Sequence, residues 1–215
     1  MKYLFIDTSY DWILISVYEH KETSVQTLYS YKGLHPRESS FRLVKDIQIA
    51  LEESSIQKPD AILCGIGPGS FTGIRIAVST ARNLAQLWEI PVKGVDSLKV
   101  YSSYYYYKTK NPSFVVLDAK QKKVYAAYYD EDGFYGSMDI PPKELEISYK
   151  EKFYTYSVYS DVNLKNIATK NIREDLPSPD LLATMCAEEI FYIDVVKDTY
   201  KNLHPAYMRA SYAEQ

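Results

Sequence analysis

Four of the chain's eight glycines, Gly65, Gly67, Gly69 and Gly73, fall within nine residues of a 215-residue sequence. Residues 65–76 read Gly-Ile-Gly-Pro-Gly-Ser-Phe-Thr-Gly-Ile-Arg-Ile, between a short apolar run and a stretch of helical period. Unpaired backbone N–H groups at a helix start bind anions, so the first chemistry to weigh is a phosphate cradle. A Walker-type loop needs Gly-Lys-Ser/Thr there, with the lysine on the phosphates and the hydroxyl on magnesium. Here Gly73 is followed by Ile74 and Arg75. The dinucleotide spacing Gly-x-Gly-x-x-Gly also breaks, because Thr72 fills the last slot after Gly67 and Gly69. The other reading is a tight strand-to-helix crossover, with Ser70 or Thr72 capping the helix and glycine admitting a close backbone. The residue types favour the crossover.

The remaining candidates for chemistry are sparse. His20, His35 and His204 never fall at ligand spacing, which speaks against a histidine-based metal site within the chain. Cys64 and Cys186 lie far apart in apolar segments and read as small core residues of a reducing compartment. The basic run Lys120, Lys122, Lys123 reads as a solvated turn rather than a phosphate clamp. With a formal charge of −3 and a pI near 5.7, the chain has no global basic field for gripping nucleic acid unaided. Its 46% hydrophobic and 25% charged residues are ordinary for a globular protein of one large domain or two small ones. The first apolar run ends at Asp7, too early for a signal peptide, and no stretch approaches the ~18 residues of a membrane span. A soluble cytoplasmic protein without a membrane partner is expected.

The elements that must position the glycine segment follow from periodicity. Strands are predicted at 3–7, 11–19 and 23–31, the first two joined by the polar turn Thr8-Ser9-Tyr10. Residues 39–54 have helical period, with Leu43, Val44, Ile47, Ala50 and Leu51 on one stripe. A buried strand at 60–65, the glycine segment, a helix at 74–89 and a strand at 91–95 complete a β-β-β-α-β-α-β order. A second half begins near Asp96 with a helix at 97–107 that carries the run Tyr104–Tyr107. A hairpin follows at 113–118 and 124–130, and its first strand ends in Asp118 as the opening strand ends in Asp7. Residues 132–171 read as irregular except for a strand at 153–159, and Ser178-Pro179 starts a helix reaching about Lys197. Two related lobes are expected, 1–95 and a reduced 96–215 whose C-terminal helix and tail can pack back on the first.

The string at 67–76 resembles the signature of the TsaB (YeaZ) family, and further matches follow in order along the chain. They are Asp7-Thr8-Ser9, Arg37-Glu38-Ser39, Gly94-Val95-Asp96-Ser97-Leu98, Leu117-Asp118-Ala119-Lys120 with Val124-Tyr125, and Pro205-Ala206-Tyr207-Met208-Arg209. Ala77 stands where the family usually has glycine. The resemblance implies an α/β fold of the two-lobed, ribonuclease-H-like kind shared with actin and hexokinase, with mixed sheets flanked by helices. It also implies a non-catalytic subunit of the machinery that makes threonylcarbamoyladenosine in tRNA, stabilising its paralogue TsaD beside the ATPase TsaE. ATP or ADP and a metal are then expected on those partners, with no cofactor in the isolated chain and tRNA reached only indirectly.

Absences agree with a non-catalytic role. In the catalytic relatives two histidines one helical turn apart hold a metal, whereas 96–107 here has no histidine. Nucleotide-binding members use glycine-rich hairpin turns, whereas Thr8–Trp12 and Ala119–Lys123 contain no glycine. Asp7, Thr8 and Asp118 remain as vestigial cofactor-site candidates; Asp7 reads as a turn cap before a water-mediated magnesium ligand. A second apolar strip, Ile76 and Leu87 with Thr80 and Asn83 between them, lies behind the core face of its helix. Phe41 and Ile49, with Lys45, do the same on the helix before it. The resemblance gives these seven residues a partner, TsaD or a second copy of this chain, in a four-helix bundle. Gly67, Pro68, Gly69, Ser70, Phe71, Thr72, Gly73 and Arg75 form the signature loop that orients the second helix. The alternative from another class is an autonomous ATPase or kinase of the actin/hexokinase-like superfamily. A direct tRNA binder is a third reading, against which the acidic balance argues.

Overall fold

The computed structural model describes residues 1–21, 24–178, 193–194 and 196–208. It divides into two compact units, Met1–Ser97 with the described part of 178–207, and Leu98–Pro177 with Met208. The first unit holds strands β1 (Lys2–Asp7), β2 (Trp12–Lys21), β3 (Ser24–Leu34), β4 (Ala61–Gly65) and β5 (Val92–Val95). They form one sheet in the order β3-β2-β1-β4-β5, with β1–β2–β3 antiparallel and β1–β4–β5 parallel. Helices α1 (Ser39–Glu53) and α2 (Phe71–Trp88) pack on it and against each other. Ile13, Ile15 and Val17 alternate along β2 and join Leu43, Ile47, Ala77, Val78 and Ala81 of the helices in one buried core. That alternation is the period of a strand with one face under helices.

The second unit repeats the plan of the first sheet. After α3 (Ser97–Thr109) come β6 (Ser113–Asp118), β7 (Val124–Asp130), β8 (Gly133–Ile140), α4 (Pro142–Ser148), α5 (Lys150–Thr155), β9 (Ser157–Ser160) and β10 (Thr169–Asn171). The sheet order is β10-β9-β6-β7-β8, again an antiparallel meander on one side and parallel strands on the other. The central strands β1 and β6 both end in an aspartate, Asp7 and Asp118.

Several elements differ from expectation, each for a local reason. Helix α2 starts at Phe71 rather than Ile74, because Ser70 Oγ accepts the Gly73 N–H and closes the first turn early. Phe71 and Thr72 are exposed and so leave no apolar period to read. Val44 is 63% exposed and not in the core stripe. At 100° per residue it lies about 90° round from the mean direction of Leu43, Ile47 and Ala50. The expected strand 153–159 is a helix through Thr155 followed by a shorter strand. Its aromatic, β-branched run mimics a strand, but from a helical turn the Phe153 ring packs tilted against Phe114 at 4.7 Å between centroids.

Residues 132–148, expected to be irregular, hold an edge strand and a helix with Pro142 in its first turn. The edge strand is half-exposed on both faces and carries no alternation. The third strand runs on to Leu34, and its expected first residue, Thr23, lies outside the described residues. Cys186 and most of the expected helix 178–197 also lie outside them. Asp194 and Lys197, at its expected end, sit in a turn in which Asp194 Oδ1 accepts the Val196 N–H.

The tyrosine run has a packing account. Tyr104 and Tyr105 are buried, and Tyr105 stacks on Tyr159 at 3.5 Å and donates to the Asp175 carbonyl at 2.5 Å. Tyr106 and Tyr107 tilt against Tyr129. A second aromatic group holds a cation: Lys152 donates to the Tyr156 hydroxyl at 2.8 Å and lies 4.5 Å over the Tyr128 ring. Tyr156 in turn donates to the buried Asp130 at 2.7 Å. The hydrogen bond to Tyr156 is the chief reason that the Lys152 ammonium titrates above the ordinary lysine range. Lys152→Met should cost about 1 kcal/mol in a thermal melt at pH 7, since Asp130 loses its cation while water already screens the pair. A raised folded-state pKa stabilises below the free-lysine value of about 10.4 and fades above it, so the two stability curves should converge at high pH.

Candidate functional site

The glycine segment is bolted to the β1–β2 turn, not open to a ligand. Ser70 N–H donates to the Ser9 carbonyl at 2.6 Å, and Thr8 Oγ1 donates to the Gly73 carbonyl at 2.7 Å. Ser97 N–H donates to the Gly67 carbonyl at 2.8 Å, while Ser97 Oγ accepts the Gly67 N–H and meets Ser9 Oγ at 2.8 Å. A Cβ on Gly69 would overlap the Ser9 carbonyl oxygen, and one on Gly73 would overlap the Thr8 carbonyl oxygen. Glycine is required here because backbone meets backbone. Asp7, Thr8 and Ser9 are fully buried. Asp7 Oδ1 accepts the Ser9 N–H at 2.6 Å, and its other oxygen faces Gly65. The carboxylate therefore presents no surface to a phosphate or a hydrated ion, and the turn does not fit a nucleotide cradle. Burial, with the Asp7 charge second, pushes the neighbouring Cys64 thiol well up.

The signature side chains Phe71 and Arg75 have a local partner that sequence reasoning did not assign. The Arg75 guanidinium lies 3.8 Å over the Phe71 ring and donates from Nε to the Tyr207 hydroxyl at 2.8 Å. Phe71 and Tyr207 stack at 4.9 Å. One residue earlier, Ala206 N–H donates to the Ile66 carbonyl at 2.8 Å, and Leu203 is buried in the core. The Pro205-Ala206-Tyr207 strap thus clamps the loop. The spacing of proline and tyrosine was its visible signal; the pairing over 132 residues was not.

Asp118 belongs to the second unit. Burial pushes its carboxyl up, but the Lys120 ammonium at 2.5 Å and the Lys120 N–H pull it further down, below the ordinary range. Asp161 accepts the Asp118 N–H at 2.8 Å and faces Arg173 at 3.5 Å; burial dominates and raises its carboxyl. Among the described residues no group of three or more His, Cys, Asp or Glu side chains could hold a metal ion.

The outer face of the first unit's helix pair carries the other candidates. Along α2, Ile76, Thr80, Asn83 and Leu87 recur at helical spacing, with Leu87 74% exposed and Ile76 and Thr80 half-buried. Along α1, Phe41 is 85% exposed, Lys45 is exposed and Ile49 is half-buried. Ile76 also leans on the core, so it belongs only partly to this face. Val44 joins the strip, three residues after Phe41; its spacing from Phe41 was the overlooked signal. Gly73→Ala should lower stability by about 1–3 kcal/mol by overpacking against a fixed backbone, although the change favours an isolated helix by about 1 kcal/mol. Chemical denaturation of the variant reads the sign directly.

A family model described as TsaD, tRNA N6-adenosine threonylcarbamoyltransferase, matches residues 16–179. The tRNA threonylcarbamoyladenosine biosynthesis protein TsaB of Escherichia coli (strain K12) is 31% identical over 135 residues, 61% of this chain and 56% of that protein. TsaB of Buchnera aphidicola subsp. Schizaphis graminum is 30% identical over 129 residues, 59% of each chain. The matched part thus spans little more than half the length of these curated relatives. YeaZ from Pseudomonas aeruginosa superposes with a TM-score of 0.71 at 21% identity, over 96% of this chain and 99% of that one. That likeness shows the fold, the two-lobed actin/hexokinase-like architecture. With three quarters of its length under the family model and TsaB proteins among its relatives, the chain belongs to the TsaD-type family, on its TsaB (YeaZ) branch.

Proposed function

We propose that this chain is a non-catalytic scaffold and activating subunit in the making of threonylcarbamoyladenosine in tRNA. It binds and stabilises TsaD, which transfers the threonylcarbamoyl group to N6 of the adenosine just 3′ of the anticodon. The observation that carries this reading is the outer face of α1 and α2, where Phe41, Val44 and Leu87 are each more than 60% exposed on adjacent helices. A helix pair that already buries one face on a sheet gains nothing from a second apolar strip unless another surface covers it. The partner surface is a helix pair on TsaD, with a second copy of this chain as the competing occupant. ATP or ADP and a metal sit on TsaD and TsaE, and the cytoplasm is the expected compartment. The buried Asp7 turn supports the absence of a nucleotide site at that hairpin, and no helix among the described residues is long and apolar enough to cross a membrane.

Burying a leucine contributes roughly 1.5–3 kcal/mol, and an unpaired charge in its place costs more. Leu87→Asp should therefore keep the melting temperature of the isolated chain but abolish co-elution with TsaD in gel filtration. A folded variant that co-elutes as the wild type does would move the interface elsewhere. The purified chain alone should hydrolyse ATP negligibly; turnover above about 1 per second, the low end for ordinary enzymes, would replace the scaffold with an autonomous ATPase.

A further inference from the structure

The loop joining β6 to β7 is built at a cost that a solvated turn would not carry. Three consecutive residues without glycine, Lys120, Gln121 and Lys122, take φ of 59°, 51° and 61°. L-residues with a side chain disfavour this left-handed region, and runs of it are avoided. Glycine would relieve the conformation, and asparagine would ease it, yet the loop contains neither. The conformation is held from within. Lys120 N–H donates to Asp118 Oδ1 at 2.7 Å, Lys123 N–H to the Lys120 carbonyl at 3.0 Å, and Ala119 N–H to the Lys123 carbonyl at 3.1 Å.

The effect is to raise lysines at the tip of a hairpin in a chain whose net charge is −3. Around the loop each carboxylate is matched: Asp118 by Lys120 at 2.5 Å, Asp139 by Lys123 at 3.4 Å and Asp161 by Arg173 at 3.5 Å. Asp161 also accepts the Asp118 N–H, which ties the Arg173 end to the loop. Lys122 is exposed and makes no ion pair among the described residues. The local balance is therefore one cation in excess, presented at the tip. No large exposed apolar side chain occurs between Ala119 and Lys123, as a lipid surface or a helix partner would want. A lysine tip of this kind suits a phosphodiester backbone, which lysine meets as a point charge.

We infer that the β6–β7 loop is a direct contact for the phosphate backbone of RNA, with Lys122 as its central cation. The choice of RNA over another polyanion rests on the preceding reading, which places the chain in a tRNA-modifying complex; a direct contact departs from the expectation that tRNA is reached only indirectly.

The test follows an unmodified tRNA transcript by fluorescence anisotropy between 50 and 200 mM salt, titrated with the chain alone and with the chain mixed with TsaD. Lys122→Gly removes the charge and relieves the backbone. It should leave the melting temperature unchanged or higher, weaken binding about eightfold at 0.1 M salt and flatten the salt slope by about 0.9. Lys122→Arg should bind as the wild type does. Binding and slope unchanged in Lys122→Gly overturn the inference, as does a wild type that binds no tRNA in either form. Equal weakening by Lys122→Arg, a destabilised Lys122→Gly, or competition by heparin as strong as by tRNA overturns it too. Co-elution with TsaD is read separately, so a chain that ignores TsaD fails the scaffold reading while the salt slope still decides this one.

Discussion

The first unit depends on one close approach, the backbone of residues 67–73 lying directly on the backbone of the Asp7–Ser9 turn. Two carbonyl oxygens, of Thr8 and Ser9, occupy the space that a Cβ on Gly73 or Gly69 would need. Hydrogen bonds from Ser70 N–H and Thr8 Oγ1 then fix the loop in both directions. The N–H groups of Gly67, Ser70 and Gly73 already donate to Ser97 Oγ, the Ser9 carbonyl and Ser70 Oγ, so these three are not on offer to a phosphate. The same feature that first suggested a nucleotide site is what fills it, and the Asp7 carboxylate is enclosed as a result.

That contact sets where α2 begins, and α2 sets the outer face. Ser70 caps the helix against the fixed turn, so the rotation of the helix about its axis is decided at its first residue. The clamp by Arg75, Phe71 and Tyr207 holds the same end from outside, with a hydrogen bond and a stacked cation replacing main-chain contacts. Leu87, four turns further on, inherits that rotation and faces away from the core. A rigid base and a remote apolar strip are what a docking helix requires, because an ordered surface has less to lose on binding.

The second unit is organised by aromatic side chains rather than by glycine. Stacked Tyr105 and Tyr159 tie α3 to β9, and the Lys152 cage ties α5 to β7 through Asp130. Tyrosine serves both purposes, since its ring fills volume and its hydroxyl finds a partner at the end of the packing. The heavy tyrosine use thus serves this unit's packing, and the run 104–107 divides into two buried and two half-buried rings.

Where an apolar run or period is bounded by a polar turn, the residue order alone was enough to find the element. The alternation of Ile13, Ile15 and Val17, the stripe of Leu43, Ile47 and Ala50, and the hairpin ending in Asp118 are of this kind. The glycine spacing likewise told against a Walker loop without any coordinates. Three things were decided only by the folded chain. The start of α2 moved to Phe71, because a cap is a hydrogen bond and leaves no hydrophobic period. Residues 150–155 became a helix, because aromatic and β-branched residues suit either state and Phe114 selected one. Tyr207 met Arg75 across 132 residues, a pairing that no local pattern encodes. The sequence by itself determined the family, the element order of the first unit and the lack of a Walker-type or dinucleotide glycine spacing, since those depend on residue type and near spacing. The tertiary structure alone decided which backbones touch and that Val44 stays uncovered beside Phe41, because burial is a property of what lies opposite.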